Sequence, residues 1–226
     1  MTLARKDPLI NERCYHIYSR SIAKYIVFNN SSDFDRMHKL ISLYRFKDFC
    51  YKYSQFDDFL KLTQTTIIND YKKLNKYLVK IVAYCIMPTH IHFVLKQETD
   101  NGITKFVGKV FNGYSKYFNT RHSRIGPLWS SRFKNILIKN DEQMLHLTRY
   151  IHLNPSSADF VKNPEDWQYS SYNEYLKNVE PTESICDFKD ILDINPSQYK
   201  KFVKDRKNYQ REISQIKNLI FDNYSG

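Results

Sequence analysis

Two histidines separated by a single residue, His90 and His92, are the first residues of this sequence whose types and spacing could perform chemistry. They belong to the segment HIHFVLKQ, whose composition predicts a β-strand. Because side chains alternate between the two faces of a strand, both imidazoles project from one side, with Cα atoms about 6.5–7 Å apart. Two imidazoles at that distance can bind one ion, but a metal site needs a third protein ligand. Without that ligand, two surface histidines at alternate positions explain the pattern more simply.

The strands and helices that must position the pair are predicted from hydrophobic periodicity and capping residues. The predicted strands are 13–20, 79–86, 90–97 and 133–139. The predicted helices are 32–48 with Ser32 or Asp33 as cap, a segment starting at 101, and a segment from Asn140 or Asp141 to the LNP sequence at 153–155, with helix and loop over 50–78. This order predicts an α+β fold, a ferredoxin-like antiparallel sheet with helices on one side.

The chain has 226 residues, enough for one substantial domain and an extension. Residues 1–178 are predicted to form the domain, and residues 179–226 a helical C-terminal extension. No apolar run approaches the roughly 18 residues that cross a bilayer, and the segment MTLARKDPLI has no signal-peptide core. We therefore expect a cytoplasmic protein without a membrane span. The four cysteines have no metal-binding spacing, which predicts free thiols.

Charge and aromatic content favour a polyanionic partner. Lys and Arg total 35 against 24 acidic residues, a net charge of +11, and the chain contains 18 tyrosines and 15 phenylalanines. Basic side chains contact phosphates, and aromatic rings stack on unpaired bases. The composition therefore predicts nucleic acid as the partner, ahead of a membrane or an acidic protein.

Four segments, in this order, resemble segments of the single-tyrosine HUH transposases, whose motif is His, a bulky hydrophobic residue and His. MPTHIHFVL resembles that motif. YFNTRHSRIGPLWSSRFKNILI is similar to the basic block that follows it, YIHLNP at 150–155 to the helix of the nucleophilic tyrosine, and DWQYSSYNEY at 166–175 to the segment closing the domain. The resemblance covers 13–176, with a weaker similarity over 182–207. It indicates the REP-associated tyrosine transposases and the IS200-like single-strand insertion-sequence transposases.

The resemblance implies that Tyr150 is the nucleophile and that Asn154 is the third metal ligand beside His90 and His92. Residues four apart share one face of a helix, so Tyr150 and Asn154 could point at one site. Pro155 is predicted to end that helix, with Asn154 in its last turn. Two imidazoles and an amide leave coordination positions open, and the resemblance implies Mg²⁺ or Mn²⁺ as the ion.

Substrate binding is expected from the basic block. The residues predicted to bind DNA are Arg121, Arg124, Trp129, Arg132 and Lys134. The Trp129 ring could stack on an unpaired base or fill the core. His152 follows Tyr150 by two residues, hence on another helical face, and is interpreted as a structural residue rather than the general base.

The activity that the resemblance implies is a transposase reaction on single-stranded DNA: cleavage and rejoining through a covalent 5′-phosphotyrosine. The expected partners are hairpin or repeat elements, at the bacterial nucleoid. Two alternatives stay open, a domesticated DNA-binding protein without cleavage activity and a replication-initiator or relaxase-like nickase. The residues predict neither the target sequence nor the choice between monomer and homodimer, nor whether Tyr150 acts in its own subunit.

Overall fold

Four antiparallel strands form the sheet of the computed structural model, which describes residues 5, 7–180, 184–193 and 195–205. They are β1 (Cys14–Arg20), β2 (Val79–Met87), β3 (His90–Gln97) and β4 (Lys134–Leu137). Their spatial order is β2-β3-β1-β4. Helices connect β1 to β2 and β3 to β4, and a two-residue turn joins β2 to β3. This order and connectivity are those of a ferredoxin-like sheet, which confirms the predicted fold class.

Seven α-helices accompany the sheet in the described part of the chain. They are α1 (Ser31–Tyr44), α2 (Tyr53–Asp57), α3 (Lys61–Leu74), α4 (Gly102–Arg121), α5 (Asp141–Ser157), α6 (Tyr172–Tyr175) and α7 (Pro196–Lys204). Short 3-10 turns span Ile22–Lys24 and Pro164–Asp166. Segment 50–78, for which the sequence predicts helix and loop, therefore contains α2 and α3.

The sheet is packed on both faces. Ile91 and Phe93 enter a core shared with α1 and α4, whereas Cys85 and Val94 enter a second core shared with α5, α6 and α7. The prediction of helices on one side holds for α1 and α4 and is wrong for α5, α6 and α7. The physical reason is that β2 and β3 carry apolar side chains on both faces, and each apolar face must be covered.

Helix α1 begins and ends earlier than predicted. Its N-cap is Asn30, whose side chain accepts a hydrogen bond from the Asp33 N–H. After Tyr44 the backbone leaves the helix, because the Arg45 carbonyl accepts a hydrogen bond from the Leu78 N–H, just before β2. A long-range backbone pairing therefore ends this helix.

Pro155 does not end α5, contrary to the prediction. The helix continues to Ser157, and the carbonyls of Asn154 and Pro155 accept hydrogen bonds from the N–H groups of Ala158 and Phe160. Proline removes one donor from a helix and clashes with the preceding turn. Here the buried ring of Pro155 and the satisfied carbonyls after it let the last turn form.

Part of the predicted C-terminal extension packs against the domain. Tyr199 and Val203 of α7 are buried in the same core as α5. The backbone N–H groups of Ile185 and Cys186 donate to the carboxylate of Glu174. Residues 181–183, 194 and 206–226 of that extension lie outside the described residues.

All four cysteines lie in the described part of the chain and none forms a disulfide, as predicted. Burial raises the pKa of Cys85 well above that of a free thiol, which suits an inert core thiol. None of the described helices is both long and apolar enough to span a membrane.

Candidate active site

Strands β1 and β3 lie side by side, and their register sets the composition of the site. Arg20 is paired with His90 and Tyr18 with His92, so these side chains share one face of the sheet with His16. The rings of His90 and His92 are 5.0 Å apart, centroid to centroid, and nearly perpendicular at 87°. The predicted placement of the two histidines on one face is confirmed.

Helix α5 supplies the other two predicted residues, and it does so from the same chain. The side chain of Asn140 caps its N-terminus, as predicted. The Tyr150 ring lies 5.8 Å from the His92 ring and perpendicular to it, and Nδ2 of Asn154 lies 3.3 Å from Nε2 of His92. The residues predicted as nucleophile and third ligand therefore meet the histidine pair within one subunit.

His16 is a member of this cluster that the sequence reasoning missed. Its Nε2 lies 3.0 Å from Nδ1 of His92, the two rings are stacked 5.3 Å apart, and its side chain is fully buried. If Nδ1 of His92 carries the proton and donates to His16, the lone pair of His92 Nε2 points toward Asn154. The signal was the alternation in CYHIYSR, which puts His16, Tyr18 and Arg20 opposite the core face of β1.

Both histidines of the motif are neutral at physiological pH. Burial, and then the charge of Arg20, lower the pKa of His90 to about 4, with Asn154 acting in the opposite direction. Burial lowers the pKa of His92 well below its ordinary value, and His90, His16 and Arg20 add to that effect. A neutral imidazole offers the lone pair that a metal ligand needs.

A divalent ion fits the groups that face each other here. Nε2 of His90 is buried and has no hydrogen-bond partner among the described residues. Turning the Asn154 amide by 180° exchanges its nitrogen for an oxygen, the donor that Mg²⁺ and Mn²⁺ prefer. Within the described ranges, no three His, Cys, Asp or Glu residues are grouped to hold an ion. The Asn154 amide, which lies 3.3 Å from Nε2 of His92, could serve as the third protein ligand.

His152 lies in a separate buried network, which supports its interpretation as a structural residue. Its Nδ1 is 2.7 Å from the Tyr199 hydroxyl, and its Nε2 is 2.8 Å from the Ser171 hydroxyl. The Tyr199 hydroxyl also donates to Thr148 at 3.0 Å. This network ties α5, the helix that carries Tyr150, to α7 through Tyr199 and to β2 through Ser171, whose hydroxyl accepts a hydrogen bond from the Tyr84 N–H.

The His152 network predicts a loss of stability in acid. Burial lowers the pKa of His152 from 6.5 to about 3. Between those values the unfolded chain binds a proton that the folded chain does not, so the free energy of unfolding falls as pH drops below 6.5, by up to about 1.4 kcal/mol per pH unit for this histidine. The free energy of unfolding should be measured in urea at pH 7, 6 and 5. We expect it to fall less steeply with decreasing pH for His152→Phe than for the wild-type chain. The exposed-residue control His122→Gln should keep the wild-type slope, and an equal slope for His152→Phe would contradict the prediction.

The residues predicted to bind DNA are divided between two places. Arg132 and Lys134 line a pocket together with Tyr18 and Arg20, beside the histidines. Arg121 and Arg124 make contacts near the end of α4. The Arg121 guanidinium donates to the hydroxyls of Tyr117 and Ser32, and that of Arg124 donates to the Asn119 side chain and the Pro127 carbonyl.

Trp129 packs against the protein itself. Its ring stacks on the Phe111 ring, 4.4 Å away and inclined by 21°, and lies close to Phe28 and Tyr114. Half-buried against the first core, the indole occupies the position that the core-filling alternative predicted.

A sheet of this order, with a His-x-His pair facing a tyrosine-bearing helix, defines the class of protein as one with the HUH fold. A solved structure of a REP-associated tyrosine transposase bound to a REP hairpin shares that fold. It matches with a TM-score of 0.52 and 16% sequence identity, over 83% of this chain and 93% of that one.

Sequence comparisons show which proteins this chain is similar to. Residues 49–154 match the family model described as Transposase IS200 like, a range that contains all nine predicted site residues but begins after β1. A Haemophilus influenzae protein assigned to the REP-associated tyrosine transposases is 28% identical over 130 residues, 50% of this chain and 73% of that protein. The REP-associated tyrosine transposase of Escherichia coli K12 is 26% identical over 96 residues, 42% of this chain and 54% of that protein. Residues 49–154 are therefore similar to the IS200-like transposases, and the chain is similar to the REP-associated tyrosine transposases, as its motifs predict.

Proposed function

We propose that this protein is a metal-dependent transposase that cleaves and rejoins single-stranded DNA through a covalent bond to Tyr150. The observation that carries the proposal is the convergence of Tyr150 and Asn154 on His92, from a helix some sixty positions away in sequence, with His90 5.0 Å from His92. Because all four residues come from one chain, we propose that the tyrosine acts in its own subunit.

His90, His92 and Asn154 would hold Mg²⁺ or Mn²⁺. The bound ion would polarise the scissile phosphate and offset the charge that develops on it. His16 would orient His92 by accepting the proton on its Nδ1, which keeps Nε2 directed at the ion site. The neutral state of both motif histidines is compatible with this role.

Tyr150 would supply the nucleophile. Its hydroxyl oxygen forms a bond to phosphorus while the bond from phosphorus to the 3′ oxygen breaks, leaving a 5′-phosphotyrosine and a 3′-hydroxyl. The phenol loses one proton and the leaving oxygen gains one, so the step is balanced in protons. It is also balanced in phosphoester bonds, which makes rejoining possible without an external energy source.

We infer a DNA hairpin or repeat element as the substrate. The related protein of known structure is bound to a REP hairpin, and the net charge of +11 suits a polyanion. Arg132 and Lys134, which lie beside the histidines, are the predicted DNA-binding residues best placed to hold a strand near Tyr150. Such a substrate would bring the protein to the nucleoid.

The proposal is tested by trapping the covalent intermediate. Single-stranded oligonucleotides taken from the sequences that flank the gene, labelled at the 3′ end, are incubated with the protein and 5 to 10 mM Mg²⁺, roughly the range in which a weak oxygen-rich site fills. A labelled band at the mass of the protein plus DNA is expected on a denaturing gel, and EDTA should remove it. An adduct that persists in EDTA would exclude the metal, whereas binding without any adduct would favour a DNA-binding protein without cleavage activity.

A further inference from the structure

A basic pocket of about 270 Å³ adjoins the candidate active site. One wall is the end of β1, with Tyr18 and Arg20, and the other is the segment that leads into β4, with Ser130, Arg132 and Lys134. The two walls are joined directly, since the Ser130 N–H donates to the Arg20 carbonyl at 2.9 Å. The pocket is therefore held by backbone contacts of the sheet, rather than by a loop alone.

The pocket shares a wall with the histidine pair. The Tyr18 ring lies 4.8 Å from the His92 ring and 5.9 Å from the His90 ring. Arg20 is the register partner of His90. A ligand in the pocket would therefore lie within one or two side-chain lengths of the Tyr150 site.

The charge of the pocket selects an anion. The described residues that line it contribute three cations, Arg20, Arg132 and Lys134, together with serine and tyrosine hydroxyls, and no carboxylate. The charge of Arg132 adds to burial in lowering the pKa of nearby Arg5, so a further cation lies close by. Guanidinium groups match phosphate oxygens in pairs.

We propose that this pocket binds a backbone phosphate of single-stranded DNA next to the scissile phosphate, with Arg20 on the wall shared with His90. Arg132 and Lys134 close the outer side. The position next to the scissile phosphate rests on the proposed function, but the phosphate binding itself does not. Arg20, which precedes the part of the chain that matches the family model, becomes a substrate-binding residue in this arrangement.

The test is the salt dependence of binding to a dT20 single strand, measured in EDTA so that no cleavage intervenes. The slope of log K against log [salt] is negative, and each phosphate contact that is lost should reduce its magnitude by about 0.7. We expect Arg20→Gln and Arg132→Gln each to lower this magnitude by about that amount, and Arg20→Lys to keep it. Lys73→Gln, which removes an exposed charge from α3, should leave the slope as in the wild type.

The outcomes are separable. An unchanged slope for Arg132→Gln, whose side chain is exposed and not needed for packing, would overturn the proposal even if Arg20→Gln failed to fold. A fall of the same size in Lys73→Gln would also overturn it, because the effect would then be one of net charge. If the salt slope is reduced in the Arg20→Gln and Arg132→Gln variants but the wild-type protein forms no covalent adduct, only the proposed function is contradicted. If the wild-type protein forms the adduct but the salt slopes of the two variants are unchanged, only phosphate binding by the pocket is contradicted.

Discussion

Tyr150→Phe is expected to abolish the covalent protein–DNA adduct and to change the affinity for single-stranded DNA by less than about tenfold, or 1.4 kcal/mol. The substitution removes only the hydroxyl oxygen that would attack phosphorus. The ring, which is 8% exposed and packs edge-on against His92, keeps its contacts. The measurements are the denaturing-gel assay and fluorescence anisotropy with the same oligonucleotide.

Tyr18 is the alternative nucleophile, so Tyr18→Phe is the variant to compare with Tyr150→Phe. Its ring lies 4.8 Å from the His92 ring, closer than the 5.8 Å of Tyr150, so distance alone does not name the nucleophile. The family resemblance selects Tyr150, and its position one turn before Asn154 agrees with that choice. We expect Tyr18→Phe still to form the adduct. An adduct from Tyr150→Phe together with none from Tyr18→Phe would reassign the nucleophile to Tyr18.

His92→Gln is the second large effect. We expect the affinity for Mn²⁺, measured by electron paramagnetic resonance of the free ion, to fall by more than the roughly 100-fold upper range for loss of a residue that only orients a ligand. Adduct formation should be lost with it, whereas the affinity for DNA in EDTA should stay near that of the wild type. His122→Gln, at the end of α4, serves as the matched control and should bind Mn²⁺ normally. Normal Mn²⁺ binding by His92→Gln would rule out this histidine as a ligand.

Substitution of His16 should weaken Mn²⁺ binding less than substitution of His92. His16→Phe removes the group that faces Nδ1 of His92 at 3.0 Å, and we expect Mn²⁺ to bind about 10- to 100-fold more weakly. His16→Gln should recover part of that loss, because its amide oxygen can accept the proton of His92 Nδ1. A purely structural role would give Gln no advantage in Mn²⁺ affinity over Phe at equal thermal stability.

Local sequence patterns were sufficient where one element determined the answer. The alternation in HIHFVL put His90 and His92 on one face, because the side-chain period of a strand is two. The spacing of Tyr150 and Asn154 put them on one face of a helix, because residues four apart are neighbours there. The order of strands and helices was enough for the ferredoxin-like sheet, since consecutive elements pair in few allowed ways.

Patterns were insufficient wherever a contact joined distant segments. The end of α1 was misplaced because a hydrogen bond from Leu78 to Arg45 ends that helix. The continuation of α5 through Pro155 depends on how its last turn is packed, which no local rule contains. The docking of α7 onto α5 through His152 and Tyr199 has no signature in either segment.

The sequence by itself determined which residue types this protein has for its chemistry: a same-face histidine pair, a tyrosine and asparagine one turn apart, and a basic block. Only the tertiary structure decided that the histidine pair, the tyrosine and the asparagine meet at one site within a single subunit. It also decided that His16, Tyr18 and Arg20 surround them, since that depends on the register between β1 and β3, across seventy residues of sequence. Register is set by the packing of whole strand faces against two cores, so it cannot be read from either strand alone.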